Sequence, residues 1–154
     1  MKFDHIGFVV ERIDEFVEVL KAIGFAGATK PVPDYDKYVN ASFLPLGEKD
    51  GTYLEVLEPL NERSAVYNFL KRTGGGLHHL CFEVDDIERV SKELEERGFK
   101  MVSPPTDCGA YDENLGRSCE GITKISFFLL PNRLLIELVE KAAEKGDDHR
   151  DDKR

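Results

Sequence analysis

The sequence predicts an α+β chain of two tandem βαβββ modules, and three observations lead there. The first is an internal repeat. "HIGFVVERIDEFVEVLKAIGFAGATKP" (His5–Pro31) lies without a gap over "HLCFEVDDIERVSKELEERGFKMVSPP" (His79–Pro105). His5 meets His79, Phe8 meets Phe82, Val10 meets Val84, Ile13 meets Ile87 and Leu20 meets Leu94. The second is a switch of hydrophobic period inside each copy, from strand-like to helical. The third is a hairpin after each helix. The two hairpins match at their second strands, "YLEVL" (Tyr53–Leu57) over "LIELV" (Leu135–Val139).

Each copy opens with a strand rich in Val, Ile and Phe. A helix then begins near "ERIDEF" or "DDIERV". Its apolar positions are Ile13, Phe16, Val17, Leu20 and Ile23 in the first copy, and Ile87, Val90 and Leu94 in the second. A Gly-Phe pair marks the helical stop in both. The acids Asp14, Glu15 and Glu88 fall in the first turn, where the helix dipole favours them. A short strand is expected next, in "ATKPV" and "KMVSP". The hairpins turn at "GEKDG" in one copy and "PNR" in the other. This divides residues 1–141 into module one (1–60), a linker (61–76) and module two (77–141). The linker reads as a short helix ending in a glycine run that serves as a hinge. Residues 142–154 are charged and are expected to form a flexible tail.

Bulk properties narrow the function. With 154 residues and a net charge of −9, nucleic acid is not an expected partner, because phosphate binding wants clustered Lys and Arg. No apolar run reaches the ~20 residues of a membrane helix. The start, "MKFDHIGFVV", lacks a signal-peptide pattern, and a cytoplasmic location is expected. The three cysteines, Cys81, Cys108 and Cys119, are an odd count without metal-finger spacing. They are read as free thiols.

The repeat carries a histidine and a glutamate twice: His5 with Glu55, and His79 with Glu137. Both glutamates sit in strands apolar on both sides, and such strands are buried on both faces. A carboxylate there must be paired, protonated or bound to metal. Two His and two Glu offer nitrogen and oxygen donors without a thiolate, which suits one divalent transition metal, Co, Ni, Mn, Zn or Fe. In "GGGLHHLCFEV", His79 aligns with His5. His78 aligns with Asp4 and, by strand alternation, is expected on the far face. "SPPTDCGAYDENLGR" (Ser103–Arg117) reads as a turn-rich loop that could cover the site.

The motifs "DHIGFVV", "YLEVLEPL", "LHHLCFEVDDI" and "LIELVE" resemble those of the vicinal oxygen chelate superfamily. The resemblance implies a glyoxalase/bleomycin resistance protein/dihydroxybiphenyl dioxygenase fold, with a curved mixed sheet around a metal held by His5, Glu55, His79 and Glu137. Within the superfamily, the "EP" after the first ligand strand, the Ser-containing helix and "HHLCFEVDDI" are similar to the methylmalonyl-CoA epimerase branch. Glu55 is more like bacterial nickel-type glyoxalase I, since epimerases often carry Gln there. The resemblance implies an isomerase that removes a proton next to a carbonyl. Glu137 and Glu55 are its catalytic candidates, and Asp36 is a possible second base. Arg117 and Lys124 are possible contacts to a substrate carboxylate or phosphate. The implied substrates are an acyl-CoA thioester or, for glyoxalase I-type lactoylglutathione lyase chemistry, a thiol hemithioacetal; a homodimer is also implied. A metal-dependent dioxygenase and a non-catalytic binding protein of the same fold are the further alternatives.

Overall fold

The computed structural model describes residues 1–47 and 51–146. Module one comprises β1 (Lys2–Val9), α1 (Ile13–Ala22), β2 (Val32–Asp34), β3 (Val39–Pro45) and β4 (Tyr53–Pro59). α2 (Ala65–Thr73) leads to β5 (Gly76–Glu83), α3 (Ile87–Glu96), β6 (Lys100–Asp107) and α4 (Gly109–Asn114). β7 (Cys119–Glu120), β8 (Lys124–Leu129), β9 (Leu135–Glu140) and β10 (Ala143–Glu144) complete the described elements. None of these helices is long and apolar enough to cross a membrane.

Eight strands form one curled mixed sheet in the order β2-β3-β4-β1-β5-β9-β8-β6. The order is one four-strand set used twice, reversed about the β1–β5 seam. β1 runs parallel to β4, and β5 runs parallel to β9. β1 and β5 themselves pair antiparallel. Two equivalent strands paired in opposite directions bring equivalent residues of the modules together across a local twofold.

Strand alternation sorts the core into layers. Ile13 and Val17 of α1 pack with Leu44 and Val56 on the convex face. Ile87 of α3 packs in the same way with Phe128 and Leu138. The next residues along those strands, Phe43, Leu57 and Val139, join Ile125 and Tyr111 in a third cluster on the concave side. Each module helix is capped by a carboxylate from the end of its own last strand. The Ile13 N–H donates to Glu58 Oε2 at 2.7 Å, and the Ile87 N–H donates to Glu140 Oε2 at 2.7 Å. These acceptors meet helix ends that have orphan donors and a positive dipole.

Three expectations need correction. The glycines ahead of β5 are a helix stop and a packing contact: Gly74 closes α2 at φ 78°, and a Cβ on Gly75 would lie 2.6 Å from the Val9 carbonyl oxygen. Ser103–Arg117 is no open loop, because it holds the end of β6 and all of α4. Pro104 and Pro105 fit there because β6 is the edge strand, where a missing N–H costs no ladder bond. The segment after residue 141 begins with β10, which pairs with β7. Arg117 holds it through Glu144 Oε1 and the Ala142 carbonyl, each at 2.9 Å. Glu48–Asp50 of the first hairpin turn and residues 147–154 of the expected tail lie outside the described residues.

Candidate metal centre

Register across the seam places the four predicted donors. Glu55 pairs with Gly7, and Gly7 pairs with His79. His5 pairs with Cys81, and Cys81 pairs with Glu137. Two neighbouring rows of the sheet thus each carry one histidine and one glutamate. Gly7 is required by this packing: a Cβ there would lie 2.1 Å from His79 Cε1.

Both histidine strands carry a bulge in addition. Phe3 pairs with Phe82 and His5 with Cys81, so Asp4 is an extra residue in β1. Gly7 pairs with His79 and Phe8 with Leu77, so His78 is an extra residue in β5. A bulge breaks the alternation of faces. This overturns the expectation that His78 lies on the far face. Its Nδ1 is 2.9 Å from His79 Nδ1, and its ring lines the same cavity as His79. At the equivalent place in module one, Asp4 Oδ2 accepts from His5 Nδ1 at 2.7 Å. Asp4 is fully buried and is also bound by Tyr111 OH at 3.0 Å and Lys141 Nζ at 2.8 Å.

The donor atoms converge. His5 Nε2 lies 3.0 Å from His79 Nε2, 3.0 Å from Glu137 Oε2 and 3.2 Å from Glu55 Oε2. His79 Nε2 lies 2.9 Å from Glu137 Oε2 and 3.1 Å from Glu55 Oε2. Two ligands about 2.1 Å from a metal and at right angles to it are about 3.0 Å apart. The spacing and the N₂O₂ donor chemistry therefore fit a divalent transition metal. Asp4, His5 and Cys81 form a second grouping of donors. Burial, aided by Glu137, pushes the Cys81 thiol well above its ordinary range, and Asp4 is already committed, so this grouping is a poor ligand set.

Burial opposes charge on His5, yet Cys81, Glu55 and Asp4 outweigh it and hold its pKa well above the ordinary histidine value. His79 is raised against the same opposition by Glu137 and Glu55. Burial acts on Glu55 and Glu137 in the other direction, but the two imidazoles win and hold both carboxyls below their usual range. His78 behaves differently: burial and the neighbouring His79 push it down to about 4.

A cavity of about 430 Å³ opens beside the donors and is lined by Glu55, His78, His79 and Glu137. Val39, Ala41, Phe43 and Ile125 make its walls apolar, and Tyr111 of α4 also lines it. That volume suits a small ligand or one end of a larger one. Asp36, read as a possible second base, is exposed where it borders this cavity. Its neighbour Lys37 is the more enclosed group, with Nζ 2.8 Å from Asp34 Oδ2 and 3.7 Å from Cys108 Sγ. Burial works against the Lys37 charge, but Cys108, Asp34 and Glu137 raise its pKa. The turn residues 35–38 offer no pattern to choose Lys37 over Asp36.

The two expected substrate contacts are elsewhere. Arg117 is committed to Asp112 at 2.6 Å and to Glu144, which ties α4 to β10. Lys124 reaches Glu88 of α3 at 3.4 Å. Neither borders the cavity. The three cysteines are unbridged.

This doubled fold has known counterparts. The profile of the Glyoxalase/Bleomycin resistance protein/Dioxygenase superfamily matches residues 4–116, and the chain belongs to that family. More particularly, it is similar to the mitochondrial methylmalonyl-CoA epimerase of Dictyostelium discoideum, with 30% identity over 144 residues, 91% of this chain and 78% of that protein. The mitochondrial methylmalonyl-CoA epimerase of Homo sapiens is 30% identical over 111 residues, 71% of this chain and 61% of the human protein. Among solved structures, a variant of Streptomyces coelicolor methylmalonyl-CoA epimerase in complex with 2-nitronate-propionyl-CoA superposes with a TM-score of 0.74. It is 27% identical, over 93% of this chain and 99% of that one.

Proposed function

We propose that this protein is a divalent-metal-dependent epimerase that moves a proton at the carbon next to a thioester carbonyl, with an acyl-CoA of the methylmalonyl type as substrate. The convergence of His5, Glu55, His79 and Glu137 beside an apolar cavity carries the reading. The similarity to methylmalonyl-CoA epimerases supports the choice of substrate.

When bound, a divalent ion such as Co, Ni, Mn, Zn or Fe would act as a Lewis acid and stabilise negative charge on a substrate oxygen. The protein's own residues do the rest. His5 and His79 would hold the ion through Nε2, with Glu55 and Glu137 through Oε2, and Asp4 orients the His5 ring through Nδ1. Glu137 and Glu55 reach the centre from β9 and β4, on opposite sides of the two histidine strands. Each carboxylate is the group assigned to take a proton from one side of a bound carbon. Epimerisation needs one such group on each side, and the local twofold supplies the pair. Asp36, at the cavity border, is the alternative on the second side. The apolar walls and Tyr111 keep water from the exposed carbanion-like carbon.

All four donors come from one chain, so the centre is complete without a partner; a homodimer is part of the proposal only through the resemblance. The free thiols accord with a cytoplasmic, reducing setting. Glu55, a carboxylate where epimerases often carry Gln, favours a second reading, glyoxalase I-type lyase chemistry on a thiol hemithioacetal.

One experiment separates the two. The metal-loaded protein is incubated in D₂O with methylmalonyl-CoA, and separately with methylglyoxal plus a thiol, and followed by NMR. Deuterium uptake at C2 of the thioester is the expected result. Conversion of the hemithioacetal alone would replace the epimerase with the lyase.

A further inference from the structure

The bulge that turns His78 into the cavity has a chemical consequence. His78 Nδ1 and His79 Nδ1 are 2.9 Å apart, and a contact of that length between ring nitrogens needs one hydrogen between them. His79 must supply it. With Nε2 given to a metal, a neutral imidazole keeps its hydrogen on Nδ1. His79 then donates and His78 Nδ1 accepts. A neutral His78 then has its hydrogen on Nε2. That ring stands edge-to-face on Phe69, with centroids 5.0 Å apart and planes at 89°, and it lines the cavity. Its Nε2 has no hydrogen-bond partner among the described residues.

We propose that His78 is a positioning residue for the His79 ligand, and that the tautomer this imposes makes its Nε2–H a hydrogen-bond donor to a carbonyl or carboxylate oxygen of the substrate. This rests on the metal-dependent reading of the centre. It makes His78 the module-two counterpart of Asp4, with one difference. Asp4 is an ionised acceptor saturated by Tyr111 and Lys141. His78 is a neutral acceptor whose other end remains available. Module one therefore anchors its ligand to the protein interior, and module two links its ligand to whatever occupies the cavity.

The test uses the full chain, His78→Asn and His78→Phe. Metal affinity is read by competition with a chelator, and KM for methylmalonyl-CoA is read separately. Asn keeps an acceptor near the place of Nδ1 and loses the Nε2–H; Phe keeps the ring volume and loses both. His78→Phe should bind Zn or Co about 10- to 100-fold more weakly, as for other groups that orient ligands. His78→Asn should bind within about threefold of wild type yet show a KM raised about fivefold, the size of one net hydrogen bond.

Equal metal affinity in His78→Phe and wild type would overturn the positioning role alone. So would an equal loss in both variants, which would make ring volume the cause. A wild-type protein that held no metal would instead remove the metal-dependent reading and this role with it. A measurement on the zinc-loaded wild type keeps the proposal testable even if a variant does not fold. Histidine nitrogen NMR should find His78 as the Nε2–H tautomer, and the Nδ1–H tautomer would overturn the proposal.

Discussion

Module one and module two share a skeleton and differ around the ligand. In both, a bulge precedes the histidine, a glutamate enters from the parallel neighbour strand, and a carboxylate caps the helix. The differences sit next to these constants. Asp4 supports His5, while His78 supports His79. Gly7 lies under the His79 ring, while Cys81 takes its place beside His5. The Glu137 side chain is 7% exposed and that of Glu55 14%. Repetition fixes where the donors are, and divergence at their neighbours gives the two halves different chemistry. An epimerase needs this combination: near-symmetry for two proton-transfer groups, and asymmetry because its substrate is not symmetric.

The largest effect that could break the comparison lies at the glutamates. Glu137→Gln should lower turnover at least ~10²-fold, the usual scale of a lost acid–base group, and Glu55→Gln should do the same only if Glu55, and not Asp36, is the second proton-transfer group. The deeper Glu137 should lose more. Steady-state rates with methylmalonyl-CoA test this, and near-wild-type activity in both variants would remove the paired roles.

Next comes the floor beneath the histidines. Gly7→Ala puts a methyl into the His79 ring, which must move; metal affinity should fall ~10- to 100-fold, because ligand placement is what such support provides. Cys81→Ala, at the equivalent position, removes volume instead and should leave affinity within about threefold, at a stability cost of roughly 1 kcal/mol. Chelator competition and thermal melting measure the two. Equal losses would mean that the halves are supported alike.

Much of this contrast was legible in the sequence. The gapless repeat located both helices, and the ligands stood out because His5/His79 and Glu55/Glu137 recur at equivalent positions in apolar strands. Asp4 and His78 were not legible as supports. Reading alternate residues to opposite faces assumes an unbroken ladder, and a bulge leaves no composition signal in "FDHIG" or "LHHLC". Arg117 and Lys124 present only their charge in the sequence, and the partners that claim them, Asp112, Glu144 and Glu88, are set by tertiary placement.

A change of pH sharpens the comparison at the level of the whole centre. The pKa values of His5 and His79 are raised, so their protons compete with a metal. Affinity should rise with pH through and above the ordinary histidine value of 6.5, by up to about tenfold per unit for each proton released. Without metal the signs separate. Stability from raised histidines is complete below 6.5 and fades as pH rises through their folded pKa values. Stability from the depressed glutamates is complete above 4.5 and fades as pH falls through theirs. The metal-free protein should therefore gain most from the centre between 4.5 and 6.5, and added metal should move the optimum upward. Melting temperatures with chelator and with metal, from pH 4 to 9, would show whether the shift occurs.

The smallest effect bears on the part of the skeleton where the modules agree. Glu58 and Glu140 each accept one backbone N–H at 2.7 Å at a helix start. α3 has a second cap, because Asp86 Oδ1 accepts from the Arg89 N–H at 2.9 Å. α1 has no such bond from Arg12 at the matching place. Glu58→Gln keeps an acceptor and should cost only a few tenths of a kcal/mol, while Glu58→Ala should cost about 1 kcal/mol. Glu140→Ala should cost less than Glu58→Ala, since Asp86 continues to hold the first turn of α3. Chemical denaturation of the metal-free variants measures the difference. Equal costs would mean that the carboxylates act through the helix dipole more than through the single hydrogen bond, because the dipole contribution is the same at both helices whatever else caps them.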